Sequence, residues 1–439
     1  MFKTNEADKP KRGADPWIWA VMVLLCIISL ITTYSASSQE VASSGLFVPI
    51  IRHGVFLLMG IAAAYLLQHV HYRYFRKVMV VAILLSLFLV FYTMNWGAVI
   101  NGARRSLEIP LINVTFYPSE LAKLAAVAAI AWLMSNVQVP GGGTRWSGVI
   151  LCALMVGLFG VMLFPQGFTN CFILMSISFA MMLIGGVRMK QFIIVIALYA
   201  VCFVGYRQYD RYVENRESAL NQQVAEILNQ QVAEIAQAPD DRSATRDRRI
   251  ETFSFFEEDC LAHPMESYYH QEQYGYMARA HGGVLGVGPG NSRECARLPL
   301  AFSDYVFSII VEEWGLLGGV LLMVLYVSLM GRAGSIAWKC KYAFPALLIM
   351  GMATMITLQA LAHIAINSGL VPVTGQPLPL ISKGGTSILL VGVAFGMMLS
   401  VSRYAEYSAE ASQQRGGKPQ EVGGAAAGGV SEALNPANS

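Results

Sequence analysis

The chain has 439 residues, 55% of them hydrophobic and only 13% charged, with a formal net charge of +3. A soluble globular domain carries about 25% charged residues, so half the expected charge is missing, and the deficit lies in runs long enough to cross a ~30 Å hydrocarbon core. These values exclude a soluble fold, and the small net charge gives no footing for nucleic acid as a partner.

In chain order, Lys3, Lys9, Lys11 and Arg12 lead into a first apolar run at 17–34, followed by the small residues Ser35, Ala36 and Ser37. The run is longer than the 7–15 residue core of a signal peptide, so it reads as a retained helix. Further runs follow at 53–70, 78–94, 118–135, 148–165, 168–186, 191–206, 304–330, 345–366 and 384–402. The fold predicted is all-α: a polytopic membrane protein of about ten spans. Residues 1–14 form a cytoplasmic segment and 15–405 the membrane domain. Within it, 207–303 is a long extracytoplasmic loop between spans seven and eight. Residues 406–439, rich in Gly and Ala, form a disordered cytoplasmic tail.

Basic residues set the orientation. Arg73, Arg76 and Lys77 follow span two, Arg145 span four, Arg188 and Lys190 span six, Arg332, Lys339 and Lys341 span eight, and Arg403 span ten. A ten-span count puts all of them on one side, so both termini are expected in the cytoplasm. Arg104 and Arg105, in the outward segment Asn95–Tyr117, run against this bias and are candidates for a function.

The long loop carries a perfect tandem repeat, LNQQVAEI at Leu220–Ile227 and again at Leu228–Ile235, with helix-forming composition. It reads as a duplication that lengthens a surface helix. Of the seven cysteines, Cys26, Cys152, Cys171, Cys202 and Cys340 lie in or beside apolar runs as packing residues. Cys260 and Cys295 share one polar segment and would be able to pair only in an oxidising compartment.

Three polar segments border the spans. In the first, Asn101–Leu124, Pro118 suits a first helical turn, and Glu120 and Lys123 share a face as an i,i+3 pair. The second, Gly282–Gly319, opens on a glycine-rich run that lacks the Lys-Ser/Thr of a P-loop. It leads to Asp304 and then to Glu312 and Glu313. An acidic residue at membrane depth is expensive unless it is paired or lines a wet cavity. Capping of the following helix is the plainer reading of Asp304, and a buried cation that of the glutamates. The third, Asn367–Ser387, breaks a helix with Pro and Gly and holds Lys383. One outward carboxylate with Arg104, Arg105, Lys123 and Lys383 suits transfer chemistry on a phosphorylated lipid. No H-x-x-x-H pair and no G-x-S-x-G elbow occurs.

NGARR…YPSELAKLA (101–125), GGVLGVGPGNS…LPLAFSDYVFSIIVEEWGLLGG (282–319) and VTGQPLPLISKGGTS (373–387) resemble, in order and spacing, motifs of the SEDS family of bacterial shape, elongation, division and sporulation proteins. The run at 288–292 is closer to the family's division branch. The resemblance implies a peptidoglycan glycosyltransferase of the bacterial inner membrane that polymerises lipid II outside the cytoplasm. It also implies a class B penicillin-binding transpeptidase and other division proteins as partners. It assigns catalysis to Asp304 and matches Lys123 to the family's lysine; with Lys123, the residues Arg104, Arg105, Glu120, Lys383 and Glu313 read above are the candidates for substrate binding. No cofactor is implied, and a divalent cation as an aid to the diphosphate stays open. Three departures stand out: Leu298-Pro299-Leu300 lacks the family's glutamate, Lys383 replaces a tyrosine, and Phe164-Pro165-Gln166 replaces Glu-Pro-Asp. A flippase for the lipid-linked precursor and a non-catalytic division scaffold are the alternatives.

Overall fold

The computed structural model describes residues 13–36, 47–100, 103–109, 114–138, 143–227, 270–298, 301–371 and 375–405. Its helices are α1 (Pro16–Ala36), α2 (Phe47–Leu67), α3 (Tyr72–Trp96), α4 (Pro118–Val137), α5 (Trp146–Leu163), α6 (Phe168–Ile184), α7 (Met189–Ile227), α8 (His270–Gly282), α9 (Val306–Ala337), α10 (Ala343–Asn367) and α11 (Gly385–Tyr404). Among the described residues nine helices are long and apolar enough to cross a membrane, and α6 adds a shorter apolar stretch, Thr169–Ile184. The polytopic all-α architecture is thus the one expected.

Burial divides the helices into two groups. About 67%, 72% and 78% of the span residues of α4, α10 and α11 are buried, against 22% for α2 and α3 and 11% for α7. The first three are therefore the hub, while α2, α3 and α7 present leucine, valine and phenylalanine outward, as lipid demands. Small residues let α2 and α11 touch backbone to backbone. A Cβ on Gly392 would lie closer than 3.0 Å to the Gly60 backbone, and one on Gly396 would meet Ala64 Cα at 3.0 Å.

The two membrane ends differ in chemistry. At one end, Asp15 caps α1, its Oδ1 accepting from Trp17 N (3.0 Å) and Ile18 N (3.4 Å). The same carboxylate receives Arg332 from α9 at 2.6 and 3.0 Å, and the Asp15 N–H donates to Ser402 on α11 at 3.2 Å. The basic residues Arg73, Arg145, Arg188 and Lys339 follow helices that end here, and Arg403 lies in the last turn of α11. The three polar segments gather at the other end.

The structure adds detail to several of these expectations. Span seven, expected at 191–206, is found at Met189–Tyr206, and its helix α7 runs on to Ile227, so the start of the long loop is helix. The first octapeptide copy closes α7, and the second lies outside the described residues, as do Cys260 and the tail after 405. Span eight begins at Val306, leaving Asp304 in the turn before it. The segment between α3 and α4 is a small antiparallel sheet, β1 (Ala98–Ile100), β2 (Ala103–Ile109) and β3 (Val114–Phe116), in the order β1-β2-β3. In its register Val99 faces Arg104 and Leu107 faces Phe116. Thr386, in the first turn of α11, donates to the Thr115 carbonyl at 3.0 Å and ties this sheet to the hub.

Candidate active site at one membrane end

Asp304 lies in the turn Ala301–Tyr305 before α9. The segment after α10 grips this turn: Lys383 N–H donates to the Phe302 carbonyl (3.1 Å) and Ser382 Oγ to the Ser303 carbonyl (2.9 Å). That gripping segment is itself held by Tyr326, whose hydroxyl donates to the Pro379 carbonyl at 2.6 Å. Leu380 within it takes φ 65°, a left-handed conformation that costs a leucine of order 1–3 kcal/mol and persists only where surroundings over-determine it. Ser303 Oγ donates to Asp304 Oδ1 at 2.5 Å. On the other oxygen, a Cβ added to Gly375 would stand 3.2 Å from Oδ2, so only a bare backbone leaves this carboxylate its room.

The first turn of α9 is closed from another helix. Tyr305 occupies the N-cap position of α9 and makes no side-chain capping bond. The N–H of Ser308, which an N-cap side chain ordinarily takes, instead donates to Asn367 Oδ1 of α10 at 3.3 Å.

Lys123 and Glu120 form the i,i+3 pair read from their spacing, with Nζ to Oε1 at 2.6 Å, and the lysine is fully buried. Pro118 at the first turn of α4 sets where they face. They are more than a local pair. Lys123 Nζ also donates to Asn170 Oδ1 (3.4 Å) in the first turn of α6, and Gln359 of α10 donates to Glu120 Oε2 (3.3 Å). Gln376 Nε2 reaches the same Asn170 oxygen at 3.1 Å. From Gln376 the chain of bonds continues: its carbonyl accepts from His363 Nδ1 at 2.7 Å, and Asn367 Nδ2 donates to His363 Nε2 at 3.2 Å and to the Asp304 carbonyl at 2.9 Å. A polar chain thus runs from the Glu120–Lys123 pair to the peptide of Asp304.

Glu312 and Glu313 sit on a different surface of α9. Glu312 accepts from Arg293 N (3.0 Å) and from the Ser292 hydroxyl, and Glu313 from Gly290 N (3.1 Å) and the Ser35 hydroxyl. These bonds, with Val287 N to the Glu312 carbonyl (3.0 Å) and Gly288 N to the Glu313 carbonyl (2.9 Å), pin the glycine-rich run against a break in α9. The break is Gly315, at φ 71° and ψ −174°, where a Cβ would lie within 3.0 Å of the Val284 carbonyl. Gly286 crosses it with equal closeness. The glutamates therefore hold backbone and hydroxyl donors rather than a lysine or arginine, with His281 3.9 Å from Glu312.

Asp304, Lys383, Glu120 and Lys123 are brought to one end, and Glu313 anchors the neighbouring loop. Arg104 and Arg105 have their backbone in β2 at that end, while their side chains fall outside the described residues. Lys383 Nζ stands 5.0 Å from the centre of the Phe302 ring, beside the Asp304 turn. Reading the sequence missed His363, Asn367, Gln376, Asn170 and Gln359. The signal was there for His363 and Gln359, polar residues inside an apolar run. Among the described residues, no group of three or more His, Cys, Asp or Glu is arranged to hold a metal ion.

A family model described as cell cycle protein, FtsW/RodA/SpoVE, matches residues 16–407. The chain is 28% identical over 395 residues to the probable peptidoglycan glycosyltransferase FtsW of Halomonas elongata, covering 88% of this chain and 90% of that one. It is 27% identical over 403 residues to stage V sporulation protein E of Bacillus subtilis, with 90% and 99% covered. Solved structures that share the fold include the following two. One is described as structural coordination of polymerization and crosslinking by a peptidoglycan synthase complex (TM-score 0.63, 22% identity, 89% of this chain and 97% of that). The other is the rod shape determining protein RodA of Thermus thermophilus (TM-score 0.59, 21% identity, 90% and 98%).

Proposed function

This chain belongs to the FtsW, RodA and SpoVE family of cell cycle proteins, and from that membership we propose that it is a peptidoglycan glycosyltransferase polymerising lipid II during cell division. Asp304 is the general base. It takes the proton of a sugar hydroxyl on one lipid-linked disaccharide as that oxygen bonds to the anomeric carbon of another. The bond to undecaprenyl diphosphate breaks, and the diphosphate leaves with the electron pair. General-base help of this kind is worth roughly 10²–10⁴-fold. Lys123, held by Glu120, together with Lys383, Arg104 and Arg105, offsets charge growing on the diphosphate. Glu313 serves the substrate through the Gly290 turn it holds.

The observation that carries this reading is the convergence of the three family motifs at one membrane end, where Lys383 N–H and Ser382 Oγ grip the turn that bears Asp304. That end is the outer face of the bacterial inner membrane, because the basic helix ends lie opposite. Both termini are then cytoplasmic, 1–14 and 406–439 flank the membrane domain 15–405, and 207–303 is extracytoplasmic. A class B penicillin-binding transpeptidase is the partner, in keeping with the synthase complex whose fold this chain shares. The test uses purified protein in detergent with that transpeptidase and fluorescent lipid II. Long glycan strands are expected from the wild type and none from Asp304→Asn. Strands from the variant would sink the assignment, and no strands from the wild type would favour a flippase, which needs two leaflets.

A further inference from the structure

Asp304 stands in the turn before α9, and its peptide is reached by a side chain from another helix. We propose that Asn367 is a positioning residue for Asp304, acting from α10 as a helix cap supplied in trans with His363 as its fixed support. The proposal rests on the glycosyltransferase reading of the site and deepens it.

The amide of Asn367 has two halves with two tasks. Its oxygen accepts from Ser308 N at 3.3 Å and from Ser308 Oγ at 3.1 Å, closing the first turn of α9. Its nitrogen donates to the Asp304 carbonyl at 2.9 Å, which sets the peptide plane from which the catalytic side chain departs. An N-cap within the chain satisfies only the first task, because it cannot reach back to the carbonyl before itself. Asn367 is 2% exposed, so water does not substitute for either bond.

The side chain cannot turn over. His363 Nδ1 meets the Gln376 carbonyl, an atom that only accepts, so the proton is on Nδ1 and Nε2 is the acceptor. Asn367 must therefore present its N–H₂ to His363, whose Nε2 at 3.2 Å and backbone carbonyl at 3.0 Å share one N–H while the other goes to Asp304, and this leaves its oxygen for Ser308. Histidine tautomer, amide orientation and the Asp304 peptide are locked in series.

Asn367→Asp separates the two tasks. The carboxylate keeps the acceptor for Ser308 and loses the donor to Asp304, while protonation restores an O–H donor at the same place. With wild-type protein and its transpeptidase in detergent, turnover of lipid II in the variant at pH 7.5 is expected to fall at least ten-fold with KM within two-fold. Activity is expected to recover as the pH is lowered, on a profile the wild type lacks. A cap that matters only for stability would leave turnover and its pH profile unchanged, and that result overturns the proposal. Hydrogen exchange across 304–310 reads the contact without any substrate: faster in Asn367→Ala, near wild type in Asn367→Asp. Unchanged exchange in Asn367→Ala also overturns it. Failure of the glycosyltransferase reading looks different, as wild-type protein that makes no strands.

Discussion

The Glu120–Lys123 pair offers a thermodynamic test in which the single changes hurt more than the double. Lys123 is wholly buried and Glu120 has 10% of its side chain exposed, so neither charge is screened by water. Glu120→Gln leaves an ammonium facing neutral amides, and Lys123→Met leaves a carboxylate with only the Gln359 amide. Breaking a buried pair from one side costs about 3–5 kcal/mol, because the remaining ion is uncompensated. Combining the two changes removes both ions at nearly constant volume. Gln359 still finds an oxygen at position 120, and Asn170 Oδ1 still accepts from Gln376 at 3.1 Å, so the one group left without a protein partner is the neutral N–H₂ brought in by Glu120→Gln, at the partly exposed position of the pair. The double variant is expected within ~1 kcal/mol of wild type, with a coupling of at least about 3 kcal/mol. Unfolding of detergent-purified protein, followed by intrinsic tryptophan fluorescence, gives the stabilities. Glycan synthesis is expected to be lost in all three variants, including the stable one. Additive losses, or single losses below about 1 kcal/mol, would refute the idea that the buried charges are kept for chemistry at a cost in stability.

Other expectations follow from the same contacts. Gly375→Val is expected to leave the unfolding midpoint unchanged and to cut turnover about ten-fold, since its Cβ would press on Asp304 Oδ2 at 3.2 Å; equal turnover would show that the carboxylate has room. Gly286→Ala is expected to destabilise by ~3 kcal/mol or more, because φ 81° and the Glu313 carbonyl both oppose a side chain. Gly331→Ala, in open space within α9, should instead stabilise by roughly 0.5–1 kcal/mol in the same unfolding measurement. Asp15→Asn keeps the α1 cap and loses the Arg332 charge pair, whereas Asp15→Ala loses both. Losses of about 1 and 2 kcal/mol are expected with glycan synthesis intact, because this contact lies at the end opposite Asp304.

The spans were legible because hydrocarbon allows few solutions. Lipid forces each crossing to satisfy its backbone internally, so an apolar run of the right length is nearly sufficient to name a helix. The pattern around Asp304 and the Glu120–Lys123 spacing were legible for a similar reason, as charges that membrane depth would otherwise expel. What was hidden is tertiary. Nothing near Asn367 in the sequence indicates that its amide closes a helix starting 61 residues earlier, since that depends on the end of α10 meeting the start of α9. The sheet between α3 and α4 escaped because two of its strands have three residues each and too little alternation to show a period of two. Gly315 read as one more helical residue, because a break inside an apolar run leaves hydropathy unchanged.

The clamp formed by Gly282–Gly290 and the Gly315 break bears on how this chain has tolerated change. An octapeptide inserted into a helix adds about 12 Å and a little over two turns, enough to swing anything rigidly attached beyond it. The repeat begins in the last turns of α7, yet the chain must pass through the clamp before reaching the Asp304 turn. There, carbonyl and N–H bonds from Gly283, Val284, Val287 and Gly288 reset the backbone against α9, whatever path preceded them. Length upstream is thereby uncoupled from register downstream.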